Sequence, residues 1–234
     1  MTLKDTILYG DCRETLKNVT NSSVQMCVTS PPYYGLRDYG GENSQIGLEQ
    51  TPEEYIEQLV LVFREVYRVL KDDGTLWVNI GDSYYNYRSG KGQALPKQSV
   101  SKTNQDLPQV NPKRGNKLEG LKEKDLIGIP WMLAFALRAD GWHLRQDIIW
   151  HKPNPMPESV KDRCTKSHEY IFLLSKNKKY YYDNEAIKEP VKQDWGTRNR
   201  ANGKYHNSGS GLSPHTGLTK SYTTKNKRSV WSVT

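Results

Sequence analysis

Apolar and polar positions along the chain fall into blocks whose period switches between two and about 3.6 residues, the spacings of strands and helices. Thr6-Ile7-Leu8-Tyr9 reads as a short strand closing on Gly10-Asp11, and Cys12 to Lys17 as one or two helical turns. After the turn residues Asn21-Ser22-Ser23, the run from Val24 to Thr29 reads as a second strand that meets two prolines. Proline has no N–H for a ladder, so the strand stops there. Thr51-Pro52-Glu53-Glu54 is a capped helix start, and apolar residues recur behind it at Tyr55, Leu59, Val62, Phe63, Val66, Val69 and Leu70 until Asp72-Asp73-Gly74 ends the pattern. Gly74 to Ile80 then reads as a buried strand with Gly81-Asp82 at its carboxyl end.

Residues 83–120 are dominated by Ser, Gly, Lys, Asn, Gln and Pro, which predicts a mobile insertion. Order returns with a helix from Ile129-Pro130-Trp131 through Leu137, stopped by Asp140-Gly141. Leu144 to Trp150 and Tyr170 to Leu174 read as strands, antiparallel neighbours at a sheet edge, joined by the proline-rich stretch His151 to Pro157. The alternation of strands and helices predicts an α/β domain over 1–190, with a mostly parallel sheet covered on both faces. Between Val191 and Arg228 there are eight basic residues, one acidic residue (Asp194), and only Val191, Leu212 and Leu218 as large aliphatics. Such a segment has too little apolar surface for a core, and reads as a flexible DNA-contacting region or a linker.

Charge sharpens this division. The net charge is +8, yet residues 1–90 carry 8 Lys and Arg against 13 Asp and Glu, while 91–234 carry 26 against 13. A basic second part suits a polyanionic partner, because each neutralised phosphate releases a counterion. No apolar run approaches the roughly 18 residues of a membrane span, and the start Met-Thr-Leu-Lys-Asp has no signal-peptide pattern, so the expectation is a cytosolic protein without a membrane partner. Cys12, Cys27 and Cys164 are too far apart for a disulfide framework or zinc knuckle and read as reduced thiols. Asp82, Asp147 and Glu169 lack metal-ligand spacing, and no metal is expected.

Chemistry is expected at the carboxyl ends of the first two strands, where open α/β sheets bind ligands. Asp11 ends one of them and could accept hydrogen bonds from a nucleoside, or else cap the following helix through the amides of Arg13 or Glu14. Thr29-Ser30-Pro31-Pro32-Tyr33 ends the other. Two prolines impose an extended backbone and leave carbonyls without ladder partners. The nitrogen of a base amino group is a poor nucleophile because its lone pair is delocalised into the ring. If Ser30 Oγ and the Pro31 carbonyl accept its two N–H bonds, the nitrogen can pyramidalise and direct its lone pair at a methyl carbon. Tyr33 offers a flat face for a base swung out of a duplex, with Tyr34 or Tyr39 as helpers.

The whole series resembles the N4/N6 DNA amino-methyltransferases of bacteria and their phages, in permuted motif order: strand, Gly10-Asp11, short helix, strand, Thr-Ser-Pro-Pro-Tyr, amphipathic helix and Gly-Thr-Leu-Trp-Val. The similarity continues through Ile129-Pro130-Trp131, the run from Asp147 to Asn154, Ser167-His168-Glu169-Tyr170 and Arg228-Ser229-Val230-Trp231. The resemblance implies a Rossmann-like α/β sheet, S-adenosylmethionine as cofactor and double-stranded DNA as substrate. It implies catalytic roles for Ser30, Pro31, Pro32 and Tyr33, and cofactor contacts from Asp11, Cys12 and Thr29. DNA contacts are implied for Tyr34, Arg37, Lys152, Asn154, Lys161, Arg163, Arg198 and Arg200. Serine at the first motif position points to cytosine N4 as the acceptor, with adenine N6 as the alternative.

One family feature is missing: no Phe-x-Gly-x-Gly cofactor loop occurs in the 234 residues. In the family sheet, the two strands thereby lacking lie between the strand ending at Asp11 and the strand ending at Ser30. The expectation is an incomplete sheet with a central gap, in a chain that is truncated, completed by another polypeptide, or patched by its own tail. A DNA-binding protein derived from such an enzyme, catalytically incomplete, is the reading from a different class.

Overall fold

The computed structural model describes residues 5–36, 45–85, 118, 120–191 and 223–233. Contacts divide the chain into two compact units, Met1–Tyr181 with Ser229–Thr234, and Tyr182–Arg228. Most of the predicted insertion at 83–120 and most of the basic segment at 191–228 lie outside the described residues.

The first unit is built on a five-stranded mixed sheet in the order β1-β2-β4-β3-β7, with β1 at Val24–Thr29, β2 at Leu70–Ile80, β3 at His143–His151, β4 at His168–Ser175 and β7 at Val230–Ser232. β1 and β2 are parallel, β4 is antiparallel to both β2 and β3, and β7 runs parallel to β3. The short helix α1 (Cys12–Thr15) precedes β1, α2 spans Pro52–Val69 and α3 spans Ile129–Ala139.

α2 forms where the periodicity places it. Thr51 accepts from the Glu54 amide at 3.2 Å, and the Glu54 carboxylate reaches back to the Thr51 amide at 3.2 Å, so two otherwise unpartnered amide donors are satisfied. Its apolar stripe meets Leu76, Val78 and Ile80 of β2 and Ile129, Leu133 and Leu137 of α3 in one core. Tyr55, Leu59 and Phe63 retain at most 1% of their surface, so each contributes about 1.5–3 kcal/mol by leaving water. Arg68, near the end of α2, donates to the carbonyls of Leu16 (2.8 Å) and Val19 (3.0 Å), which ties the chain before β1 to the helix.

α3 begins after an insertion with Gly128 at its start, where no side chain can cap. Asp82, just past β2, supplies the cap from a distance. Its carboxylate accepts from the amides of Ser83 (2.9 Å), Gly128 (3.0 Å) and Ile129 (3.1 Å). Both long helices therefore cover one face of the sheet. On the other face the rings of Trp77 on β2 and Trp231 on β7 approach to 6.0 Å across the two intervening strands.

Five expectations are corrected. Thr6–Tyr9 forms no strand, because no strand among the described residues lies beside it to complete a ladder; Ile7 and Tyr9 are exposed. The described strands form one continuous sheet with β1 at an edge, so they do not flank a gap. β3 and β4 are antiparallel neighbours as expected, but β4 is central, and the short β7, too brief to read from periodicity, takes the edge beyond β3. The sheet is mixed rather than mostly parallel, and β2 starts at Leu70, where pairing with Val24 draws the chain straight out of α2.

The second unit contains a two-stranded antiparallel pair, β5 (Glu189–Pro190) and β6 (Thr224–Lys225). Glu189 accepts from Lys227 and Arg228, each at 3.2 Å. Among the described residues, no helix is long and apolar enough to cross a membrane.

Asp82→Ala removes the remote cap of α3 and should lower stability by about 1–2 kcal/mol, read as a fall in the urea midpoint at unchanged slope.

Candidate active site

The parallel pairing of β1 with β2 sets Thr29 opposite Val78, so the chain leaving β1 passes Gly81, the residue that follows β2. Pro31 is buried, Ser30 and Pro32 are exposed, and Tyr33 is half-buried. Past the motif the backbone folds back in a turn, with the Gly35 amide donating to the Gly47 carbonyl at 2.7 Å and the Leu36 amide to the Tyr33 carbonyl at 3.2 Å. Gly47 is required there: its φ is +104°, and a Cβ would stand 3.2 Å from the Tyr33 carbonyl oxygen.

The carbonyls of the proline pair differ. That of Pro32 accepts from the Tyr55 hydroxyl at 2.7 Å, so α2 fixes the path of the motif directly. Among the described residues the Pro31 carbonyl and the Ser30 hydroxyl have no hydrogen-bond partner, and both remain open as acceptors.

Tyr33 lies over Gly81 so closely that a Cβ on that glycine would come within 2.6 Å of ring atom Cε2. Its hydroxyl is 2.8 Å from Glu169 Oε2 and 3.0 Å from Asn79 Oδ1. Asn79 in turn donates to Glu169 Oε2 and to the Tyr170 carbonyl, both at 3.1 Å, and Lys152 Nζ pairs with Glu169 Oε1. Burial alone would raise the Glu169 pKa, but hydrogen bonds from Lys152, Tyr33 and Asn79 outweigh it and hold the carboxyl below its ordinary value. Burial and the hydrogen bond to this carboxylate push the Tyr33 phenol far above its usual range. Tyr34 is half-buried, with its ring 5.4 Å from that of Tyr55, and burial beside Glu49, Glu53 and Glu54 pushes its phenol up to about 12.

The residues expected to meet the cofactor are placed less tightly. Asp11 accepts from the Arg13 amide at 2.8 Å and pairs with its guanidinium, so it caps α1, which was the other reading of this residue. The hydrogen bonds from Arg13 hold its carboxyl below the usual range. Cys12 is exposed and Thr29 is half-buried at the end of β1. No glycine-rich turn among the described residues stands opposite these three. The described residues therefore do not by themselves form an S-adenosylmethionine cradle.

Of the expected DNA contacts, Lys152 is drawn to Glu169 and lies 4.8 Å over the Trp150 ring. Arg163 pairs with Glu158 and stacks 4.1 Å over Tyr84, while Asn154 and Lys161 are exposed. Arg37, Tyr39, Arg198 and Arg200 lie outside the described residues. Sequence reasoning assigned no role at this site to Asn79, Gly81 or Tyr55, and it considered Glu169 only as a metal ligand, for which the spacing was wrong. A polar Asn within an otherwise apolar strand and an acidic residue opening another were the available signals.

A model of the N6/N4 DNA methylase family matches residues 24–233. The chain belongs to that family. The type II methyltransferase M.Cfr9I of Citrobacter freundii is 52% identical over 195 residues, which make up 83% of this chain and 62% of that protein. M.SmaI of Serratia marcescens is 55% identical over 190 residues, 79% of this chain and 60% of that protein. The methylase chain thus spans about three fifths of the length of these curated relatives. The PvuII cytosine-N4-specific DNA methyltransferase superposes with a TM-score of 0.50 at 18% identity, covering 76% of this chain and 51% of that one, a likeness of fold.

Tyr55→Phe deletes only the hydroxyl that holds the Pro32 carbonyl. It should cost about 1 kcal/mol of stability by chemical denaturation, with α2 retained by circular dichroism.

Proposed function

We propose that this chain is the amine-binding part of a type II DNA methyltransferase that methylates cytosine at N4. The observation that carries the reading is the pair of open acceptors at the end of β1, Ser30 Oγ and the Pro31 carbonyl, beside an aromatic ring anchored against Gly81. S-adenosylmethionine would supply an electrophilic methyl group on its sulfonium. What the chain's own residues do is hold the acceptor. Ser30 and Pro31 accept the two amine N–H bonds, which draws electron density onto nitrogen and aims its lone pair, while Tyr33 stacks on the extruded base. Pro32 keeps the motif in register because its carbonyl is already tied to Tyr55. The serine at the first motif position supports cytosine over adenine through the family pattern.

The cofactor cradle requires additional chain. Among the described residues β1 is hydrogen-bonded on one side only, to β2, and its exposed Met26 and Val28 (54% and 69%) lie together on one face of this edge strand. Strands bearing the glycine loop, from a further segment or a second polypeptide, would pair there. The chain by itself should accordingly bind S-adenosylmethionine weakly or not at all, and micromolar binding by calorimetry would overturn this division of labour.

Nuclease digestion of DNA methylated by the completed protein, followed by mass spectrometry of the nucleosides, should yield N4-methylcytosine. Recovery of N6-methyladenine would replace the cytosine assignment. Ser30→Ala should reduce transfer of a labelled methyl group by roughly 100-fold or more with little change in stability, since it removes an exposed hydroxyl that no described residue uses. Near-normal rates would remove Ser30 from the mechanism.

A further inference from the structure

The phenol of Tyr33 sits at the exit of a strand, where water could satisfy it, yet it is bound instead to a half-buried carboxylate delivered from β4, a strand 136 residues further along. A buried carboxylate is costly unless donors surround it, and here three converge: the Tyr33 hydroxyl, the Asn79 amide and the Lys152 ammonium. The Asn79 amide is itself oriented by its bond to the Tyr170 carbonyl. Gly81 fixes the ring from the opposite side, because its missing Cβ leaves the space the ring occupies. The ring is therefore held at its hydroxyl by the carboxylate and along its Cδ2–Cε2 side by the Gly81 backbone, which together limit where it can sit.

We propose that Glu169 is a positioning residue for Tyr33: held by Lys152 and Asn79, it clamps the phenol hydroxyl and presses the ring onto Gly81, setting the plane on which the acceptor base stacks. This rests on the reading of Tyr33 as the stacking face. Lys152 belongs to the same clamp, so its role at the site is to neutralise Glu169. The group that touches the base is Tyr33, and Glu169 acts through it.

The test separates the clamp from the reaction. With fluorotyrosine incorporated at position 33 of this chain, the 19F resonance should move and sharpen toward fast ring flipping in Glu169→Ala. It should return close to its original position in Glu169→Gln, whose amide oxygen still accepts from the hydroxyl. Gly81→Ala, which displaces the ring while leaving the carboxylate in place, should shift the same resonance and covers the case in which Glu169→Ala does not fold. A resonance unchanged in both Glu169→Ala and Gly81→Ala overturns the proposal whether or not the protein methylates DNA. In the completed methyltransferase with unmethylated DNA, Glu169→Ala should lower kcat roughly 10- to 100-fold with KM for DNA within about twofold, as expected for a misplaced group. Glu169→Gln should recover most of that loss. Tyr33→Phe combined with Glu169→Ala should be no slower than Tyr33→Phe alone, since one acts through the other. An additional full loss in the double variant would give Glu169 a separate role and overturn the proposal. Resonance shifts as expected, with no methyl transfer by the wild-type completed protein, would leave the clamp standing and remove the proposed function.

Discussion

Because β1 runs parallel to β2, the chain leaving Thr29 and the chain leaving Ile80 emerge at the same end of the sheet, side by side. Every feature of the site follows from this pairing. The prolines prevent β1 from continuing and turn its backbone outward. Gly81 leaves room for the aromatic ring that follows them. The antiparallel return of β4 alongside β2 places Glu169 at the same edge, opposite Trp150 and within reach of Asn79. Three strands from distant parts of the chain thus deliver one cluster. The pairing is held by α2, whose buried stripe covers β2 and whose Tyr55 fastens the Pro32 carbonyl.

Two kinds of polar group meet there, and the contrast between them is the chemical content of the site. Asn79, Glu169, Lys152 and the Tyr33 hydroxyl satisfy one another, and such a saturated network in a partly dry setting is stiff. Ser30 Oγ and the Pro31 carbonyl, a few residues away, are left without partners among the described residues. A rigid frame carrying two open acceptors suits the recognition of an amine with two N–H bonds. Among the described residues β1 is also the edge strand of the sheet, with Met26 and Val28 exposed on one of its faces.

Several elements were legible because the cause lies in neighbouring residues. The capping box at Thr51 and Glu54 and the stripe from Tyr55 to Val69 define α2 through local hydrogen bonds and a helical period. The two prolines mark the end of β1 for an equally local reason. The motif residues were legible as a family pattern, and the absence of a glycine loop could be read directly from the sequence. Thr6–Tyr9 failed as a strand although its composition suits one, because a strand exists only beside a partner, and partner availability is not a local property.

What the sequence determined by itself was the set of helices and strands with strong periods, the candidate Ser30-Pro31-Pro32-Tyr33 chemistry, and the uneven charge of the two parts. Tertiary structure alone decided the strand order, with β4 central and β1 at the edge, because pairing between strands far apart in the chain depends on the whole packed sheet. It decided that Asp82 caps a helix more than 40 residues away. It also decided that Lys152, which read as a cation for phosphate, is turned toward Glu169. A side chain's charge is written in the sequence, but its partner is set by the fold that brings an opposite charge within reach.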